Sequence, residues 1–292
     1  MTTPVQTSPP VQVQGLGKCF GKNHSQVVAL KDVSFSVARG EFLAVIGPSG
    51  SGKSTLLHLI AGLDAPTAGS VLIDGQDLSR MSDRRLTLFR RHKVGLVFQA
   101  YNLIPSLSAE DNVRLPLLLE GGRAPDTRRV DGLLRSLGLA DRCRHRPDQL
   151  SGGEQQRVAI ARAMINDPAV ILADEATGNL DTASSQHLCL LLRDLATDGG
   201  RAILAVTHDP NVAFWANRIL VLKDGQIVEE IRPSSFRTAG ELGAHFQLVT
   251  SGGNPFPPAK GWPFGGAQGK PLDSAGGRPF DTAHGGEAGA CG

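Results

Sequence analysis

Hydrophobic positions in this chain come in short runs with strand periodicity. VSFSV (33–37) is apolar at every second position, whereas EFLAVI (41–46) is apolar almost throughout. The first pattern suits a strand with one wetted face and the second a strand buried on both. Similar runs follow at SVLI (70–73), VGLVF (94–98), VILAD (170–174), AILAV (202–206), ILVL (219–222) and QIVEE (226–230). Segments of helical spacing separate them. The pattern predicts an α/β fold with crossover helices between strands, several of them buried and parallel. From Ala109 to Asn166 the spacing is helical with no convincing strand. A helical subdomain over about residues 100–166 is therefore expected, inserted between two strands of the sheet.

The ends have a different character. Residues 1–10 are polar with three prolines, which suits a flexible lead-in, and the folded domain is expected over 11–231. From Ser251 to Gly292 there are 12 Gly and 6 Pro among 42 residues. A Gly/Pro-rich, disordered tail over 232–292 is expected. At 292 residues the chain fits one large domain with such a tail. Its net charge of +2 makes no strong field, so no nucleic-acid partner is expected. No apolar run approaches the roughly 20 residues of a membrane span. The N-terminus lacks a basic start followed by an apolar stretch, so no secretory signal and a cytoplasmic location are expected. Cys19, Cys143, Cys189 and Cys291 are scattered without CxxC pairs and read as free thiols.

Chemistry enters with GPSGSGKST: Gly47, Pro48, Ser49, Gly50, Ser51, Gly52, Lys53, Ser54 and Thr55. The run follows an apolar strand and opens a helical segment, the context a phosphate-binding loop requires. Its glycines let successive backbone N–H groups curl round a phosphate, and the following helix adds its positive dipole end. Lys53 is placed to reach the β- and γ-phosphates, and the Ser54 hydroxyl to ligate Mg²⁺. The apolar run 170–173 ends in Asp174 and Glu175. Successive side chains of a strand diverge, so Asp174 can serve the metal while Glu175 accepts a proton from an attacking water.

A second Gly-rich element is sharper. In LSGGEQQRVAIARAM (150–164), Ser151, Gly152 and Gly153 offer a hydroxyl and approachable N–H groups at a helix N-terminus. This segment resembles the signature of the ABC ATPase family, and the remaining family elements occur in order. By that resemblance Gln99 is the residue that senses the γ-phosphate and the metal, and Asp181 belongs to a loop at a dimer contact. His208 is the switch histidine, and Phe20 is the aromatic that stacks on adenine. The resemblance spans about residues 11–230. It departs at Ala176, where the family has proline after the catalytic glutamate.

The resemblance implies a P-loop NTPase of the ABC type, α/β with an antiparallel β portion near the N-terminus, and ATP and Mg²⁺ as cofactors. It also implies a homodimer in which the signature of one copy closes over the ATP held by the other. It further implies an integral membrane permease on a separate chain, with this subunit peripheral on the cytoplasmic face of the inner membrane. Val97–Val113 and LADEATGNLD are most similar to the lipoprotein-release, macrolide-export and cell-division ATPases. The ATPase of a solute importer, and a soluble ABC protein outside transport, remain alternatives.

Overall fold

The computed structural model describes residues 8–21, 26–119 and 127–252, and two sheets organise them. The smaller is antiparallel, in the order β2-β1-β4-β5, from β1 (Val11–Phe20), β2 (Val27–Val37), β4 (Ala68–Ile73) and β5 (Gln76–Asp77). The larger has the order β10-β9-β3-β8-β7-β6. In it β3 (Phe42–Ile46), β6 (Val94–Phe98), β7 (Val170–Asp174), β8 (Ala202–Thr207) and β9 (Arg218–Lys223) run parallel, and β10 (Gln226–Ile231) pairs antiparallel with β9. The expected α/β class and N-terminal antiparallel portion are thus present.

The apolar runs of β3, β7 and β8 are buried residue by residue because both faces of the parallel sheet are covered. Their pleat divides the interior in two. Phe42, Ala44, Ile46, Ile171, Ala173, Ile203 and Ala205 face one core, shared with the helices that follow. Leu43, Val45, Val170, Leu172, Leu204 and Val206 face the other, with α1 (Lys53–Ile60) and the antiparallel sheet. The period of two therefore lets each strand serve both cores.

The expected insertion is helical, comprising α3 (Ala109–Leu118), α4 (Thr127–Ser136) and α5 (Gly152–Met164) between β6 and β7. Asn112, 0% exposed, fixes the loop that leads into it. Its side chain accepts from the Ile104 N–H at 2.8 Å and donates to the carbonyls of Ile104, Leu107 and Ser108. The other helices are α2 (Asp83–Lys93), α6 (Thr182–Thr197), the one-turn α7 (Pro210–Ala213) and α8 (Ala239–Ser251).

Two expectations are corrected. β1 and β5 lie outside the strands read from the sequence, and β2 begins at Val27, well before residue 33. β1 carries register shifts around Gly15 and Gly17 that break its alternation. The domain also continues past 231, so the boundary of the tail is wrong. α8 is capped by Thr238, and Leu242, Phe246 and Val249 pack against the first core. His245 Nε2 donates to the Glu229 carboxylate, 2.9 and 3.0 Å from its two oxygens, pinning α8 to β10. Residues 1–7 of the expected lead-in and 253–292 of the expected tail lie outside the described residues.

Candidate functional site

The candidate groups sit on the C-terminal ends of adjacent parallel strands, where side chains of different strands converge. Gly47–Gly52 links β3 to α1, Gln99 follows β6, Asp174 ends β7 with Glu175 next, and His208 follows β8. The loop between β3 and α1 is clamped by its neighbours. The Gly225 N–H donates to the Ser51 carbonyl at 3.1 Å. A Cβ on Gly47 would lie 2.2 Å from the Leu222 carbonyl oxygen, and one on Gly52, at φ +102°, 2.5 Å from that of Ala29. Side chains at either position would break the seat. Gly50, also at positive φ, faces open space, and Pro48, Ser49 and Ser54 are exposed, with Thr55 half-buried.

Lys53 is buried, and its ammonium donates to the Gly47 and Pro48 carbonyls, both at 2.9 Å. One of its three donors remains free. Burial lowers its pKa, against the pull of Glu175 and Asp174. The Ser51 hydroxyl is buried without a partner. Burial raises the pKa of Asp174 and Glu175 raises it further, while His58 on α1 and Lys53 oppose them. Hard oxygen donors at Ser54 and Asp174 beside an unspent cation fit a phosphate chain with Mg²⁺.

Glu175 and His208 meet directly, with Oε1 and Nδ1 3.0 Å apart. Glu175 has φ +44°, and its N–H donates to the Val206 carbonyl at 3.0 Å. The turn beyond it closes through Gly178 N–H to the Glu175 carbonyl, with Ala176 buried, so this bend forms without a proline. Beside the pair opens a cleft of about 590 Å³ floored by Cys189, Phe214 and Trp215. Gly243 of α8 packs against Pro210, two residues from His208.

A second cluster gathers round Gln99. Asn179 donates from Nδ2 to the Gln99 carbonyl at 3.0 Å, and Gln99 Nε2 reaches Asn179 Oδ1 at 3.5 Å. Tyr101 and Asn102 both have positive φ, and Arg162 of α5 holds their carbonyls. Desolvation raises the Tyr101 pKa and lowers that of Arg162. Ser151 caps α5 in a reciprocal box: its N–H donates to Glu154 Oε2 at 2.8 Å, and its hydroxyl accepts from the Glu154 N–H. Gly152 lies against Tyr101 and Gly153 against Ser184. Asp181 caps α6, accepting from Ser184 N–H at 2.9 Å and Ser184 Oγ at 2.8 Å.

The structure thus draws Lys53, Asp174, Glu175 and His208 into one group. It places Gln99, Ser151, Gly152, Gly153 and Asp181 in a neighbouring one. Phe20, at the end of β1, is 44% exposed, with the Lys18 ammonium over its ring 4.9 Å from the centre. Sequence reasoning passed over His58, Tyr101, Asn179 and Arg162. The signal for Asn179 was its place in GNLD, between two residues already singled out. No helix among the described residues is long and apolar enough to cross a membrane.

Residues 30–178 match the protein-family model described as ABC transporter. The chain is 51% identical over 211 residues to an uncharacterized ABC transporter ATP-binding protein of Thermotoga maritima, covering 72% of this chain and 90% of that one. It is 42% identical over 234 residues to the macrolide export ATP-binding/permease protein MacB of Neisseria gonorrhoeae, covering 80% of this chain and 36% of the relative. The chain therefore spans little more than a third of such MacB relatives. Among solved structures, an ATP-binding cassette seen as a dimer in a post-hydrolysis state with ADP and Pi aligns with TM-score 0.70 and 42% identity, over 77% of this chain and all of that one. The cbiO1 protein of Clostridium perfringens, part of the transporter complex cbiONQ, aligns with TM-score 0.71 and 27% identity, over 82% of this chain and 94% of that one.

Proposed function

The chain belongs to the ABC transporter family, and from that premise we propose that it hydrolyses ATP to drive a membrane permease, most plainly in an exporter or force-transmitting complex. The observation that carries this reading is the convergence of Lys53 with Asp174 and Glu175, and the 3.0 Å contact of Glu175 with His208. A cation for the phosphates, a carboxylate for a metal, a base and a second polar group stand within one site.

In this proposal Lys53 leaves the Gly47 and Pro48 carbonyls for the β- and γ-phosphates, and the backbone of residues 47–52 wraps the chain of anions. Ser54, Asp174 and Gln99 would hold Mg²⁺, which supplies charge neutralisation on the phosphate oxygens. Gln99 must first release Asn179, which makes it a sensor of what the loop holds. Glu175 takes the proton from a water whose oxygen attacks the γ-phosphorus as the bond to the β–γ bridging oxygen breaks, giving ADP and phosphate. His208 holds Glu175 in line and donates to the γ-phosphate. Phe20 stacks on the adenine. Ser151, Gly152 and Gly153 of a second copy close over the nucleotide, with Asp181 at the contact. The dimer in a structural neighbour supports that arrangement.

Export is favoured by the naming of the MacB relatives. A permease on its own polypeptide is favoured by the Thermotoga relative, 90% of which this chain covers. The groove between α2 and the helical insertion is suited to a cytoplasmic helix of that permease. It holds about 430 Å³, offers Leu115 and Leu119 among Arg90, Arg91 and Arg162, and is lined by β6 and by Asn102 of the loop beyond Gln99. The subunit then sits on the cytoplasmic face of the inner membrane.

The test is to trap Glu175→Gln with ATP and read its mass by light scattering and its partners by mass spectrometry from detergent-solubilised membranes. The proposal expects an ATP-dependent dimer bound to a permease with a large extracytoplasmic domain. A compact permease of solute-importer type would move it to the importer branch, and recovery of only soluble partners would remove the transport role.

A further inference from the structure

Lys18, near the end of β1, is a largely buried cation with no part in the phosphate chemistry; its side chain is 12% exposed. The ammonium has three neighbours. Asp64 Oδ1 accepts from it at 2.7 Å and the Ala65 carbonyl at 2.8 Å, and the Phe20 ring centre lies 4.9 Å away. A cation over an aromatic face is attracted by the negative face of the ring, the more so where water is excluded. The bond from Lys18 is also the chief reason that the Asp64 carboxyl titrates below the usual carboxylate range.

The turn that carries Asp64 is an extension of α1, the helix that opens with Lys53 and Ser54. The Gly62 N–H donates to the Leu59 carbonyl at 3.0 Å and the Leu63 N–H to the His58 carbonyl at 2.9 Å. β1 is closed onto the same turn, since the Cys19 N–H donates to Thr67 Oγ1 at 3.0 Å and the Thr67 N–H to the Gly17 carbonyl at 2.9 Å. The seat of the Phe20 ring and the phosphate loop therefore belong to one frame. Phe20 is still 44% exposed. The face that meets the ammonium is closed to a base, so a purine stacked on Phe20 takes the other. A charge behind the ring draws π density towards itself and leaves that other face less negative, which suits an electron-rich purine.

We propose that Lys18 is a positioning residue for the base: held by Asp64 and Ala65, it fixes the Phe20 ring in the orientation that stacks on adenine, at a set distance from the phosphate loop. The inference rests on the assignment of Phe20 to adenine. Its signature is selective, because the Lys18 ammonium meets the ring and the turn after α1. Loss of the charge is felt by a nucleotide and not by a phosphate chain that carries no base.

The experiment compares ATP with tripolyphosphate by titration calorimetry on the full chain, both without Mg²⁺ so that neither is hydrolysed. The variants are Lys18→Met, which keeps the stem and removes the charge, Lys18→Arg, which restores a cation, Phe20→Ala, and the double variant Lys18→Met with Phe20→Ala. Lys18→Met should weaken ATP about threefold to tenfold and leave tripolyphosphate unchanged, which also shows that the variant is folded. Lys18→Arg should bind ATP nearly as wild type, and Lys18→Met should add nothing once Phe20 is alanine. Phosphate release with Mg-ATP should show the loss in KM with kcat retained. If Phe20→Ala binds ATP as wild type does, the base is not on that ring, and the assignment of Phe20 fails together with that of Lys18. If Phe20→Ala loses affinity while Lys18→Met does not, or if Lys18→Met weakens ATP and tripolyphosphate alike, the role of Lys18 alone is overturned.

Discussion

Glu175 Oε1 lies 3.0 Å from His208 Nδ1, joining the end of β7 to the end of β8. With that contact made, the carboxylate is held at the mouth of the phosphate loop before any water arrives. Glu175→Gln keeps the shape and can still meet His208, yet cannot take a proton. Its turnover should fall by about 10² or more while nucleotide binding persists. Phosphate release and equilibrium binding of a fluorescent ATP analogue measure the two separately, and full turnover in the variant would take the base role from Glu175.

Asn112 is a structural counterpart, since it serves the loop and not the chemistry. Asn112→Leu preserves bulk but strands the Ile104 N–H that the side chain now accepts. Stability should drop by about 2–3 kcal/mol, which for a domain of this size lowers the melting temperature by roughly 4–12 °C. Calorimetry decides it; an unchanged midpoint would mean that the loop is held elsewhere.

The Glu154 carboxylate titrates below the usual glutamate range, chiefly because the Ser151 N–H donates to it, with the Ser151 hydroxyl and Arg142 adding to the effect. A carboxylate depressed in the folded state stabilises above its unfolded value and stops doing so as the pH falls through the folded one. Wild type should therefore exceed Glu154→Gln in urea midpoint at pH 7, and the gap should close as the pH drops below the ordinary value of 4.5. A gap that is constant with pH would assign the effect to packing.

Cys189, on the floor of the cleft beside His208, has its thiol pushed up to about 12 by burial, with Asp209 adding to it. The thiolate is the reactive form. Alkylation of the folded protein at pH 8 should leave the Cys189 peptide unmodified while denaturant exposes it, and peptide mapping reads this directly. Labelling in the native state would show that the cleft opens.

What the sequence disclosed follows from the range of the interactions. The phosphate loop and the β7 carboxylates are contiguous, and their spacing alone places them after apolar strands. β1 was hidden because Gly15 and Gly17 interrupt its alternation where the register shifts. The helix after residue 238 was signalled, since Thr238 and Glu241 have the spacing of a helix cap, but the Gly/Pro-rich stretch beyond it obscured that cue. The Gln99–Asn179 pairing joins residues 80 positions apart, and the Glu175–His208 contact joins residues 33 apart at the ends of separate strands. Such relations belong to packing and leave no local trace.

The backbone at Glu175, at φ +44°, is a conformation in which a β-carbon costs on the order of 1–2 kcal/mol and glycine costs little. Chemistry and comfort therefore ask for different residues at one position. A selection that rewarded only resistance to heat would find this position permissive, and would return sturdy proteins that still hold nucleotide but no longer turn it over. A screen for durable variants of this chain must count phosphate released as well as temperature survived.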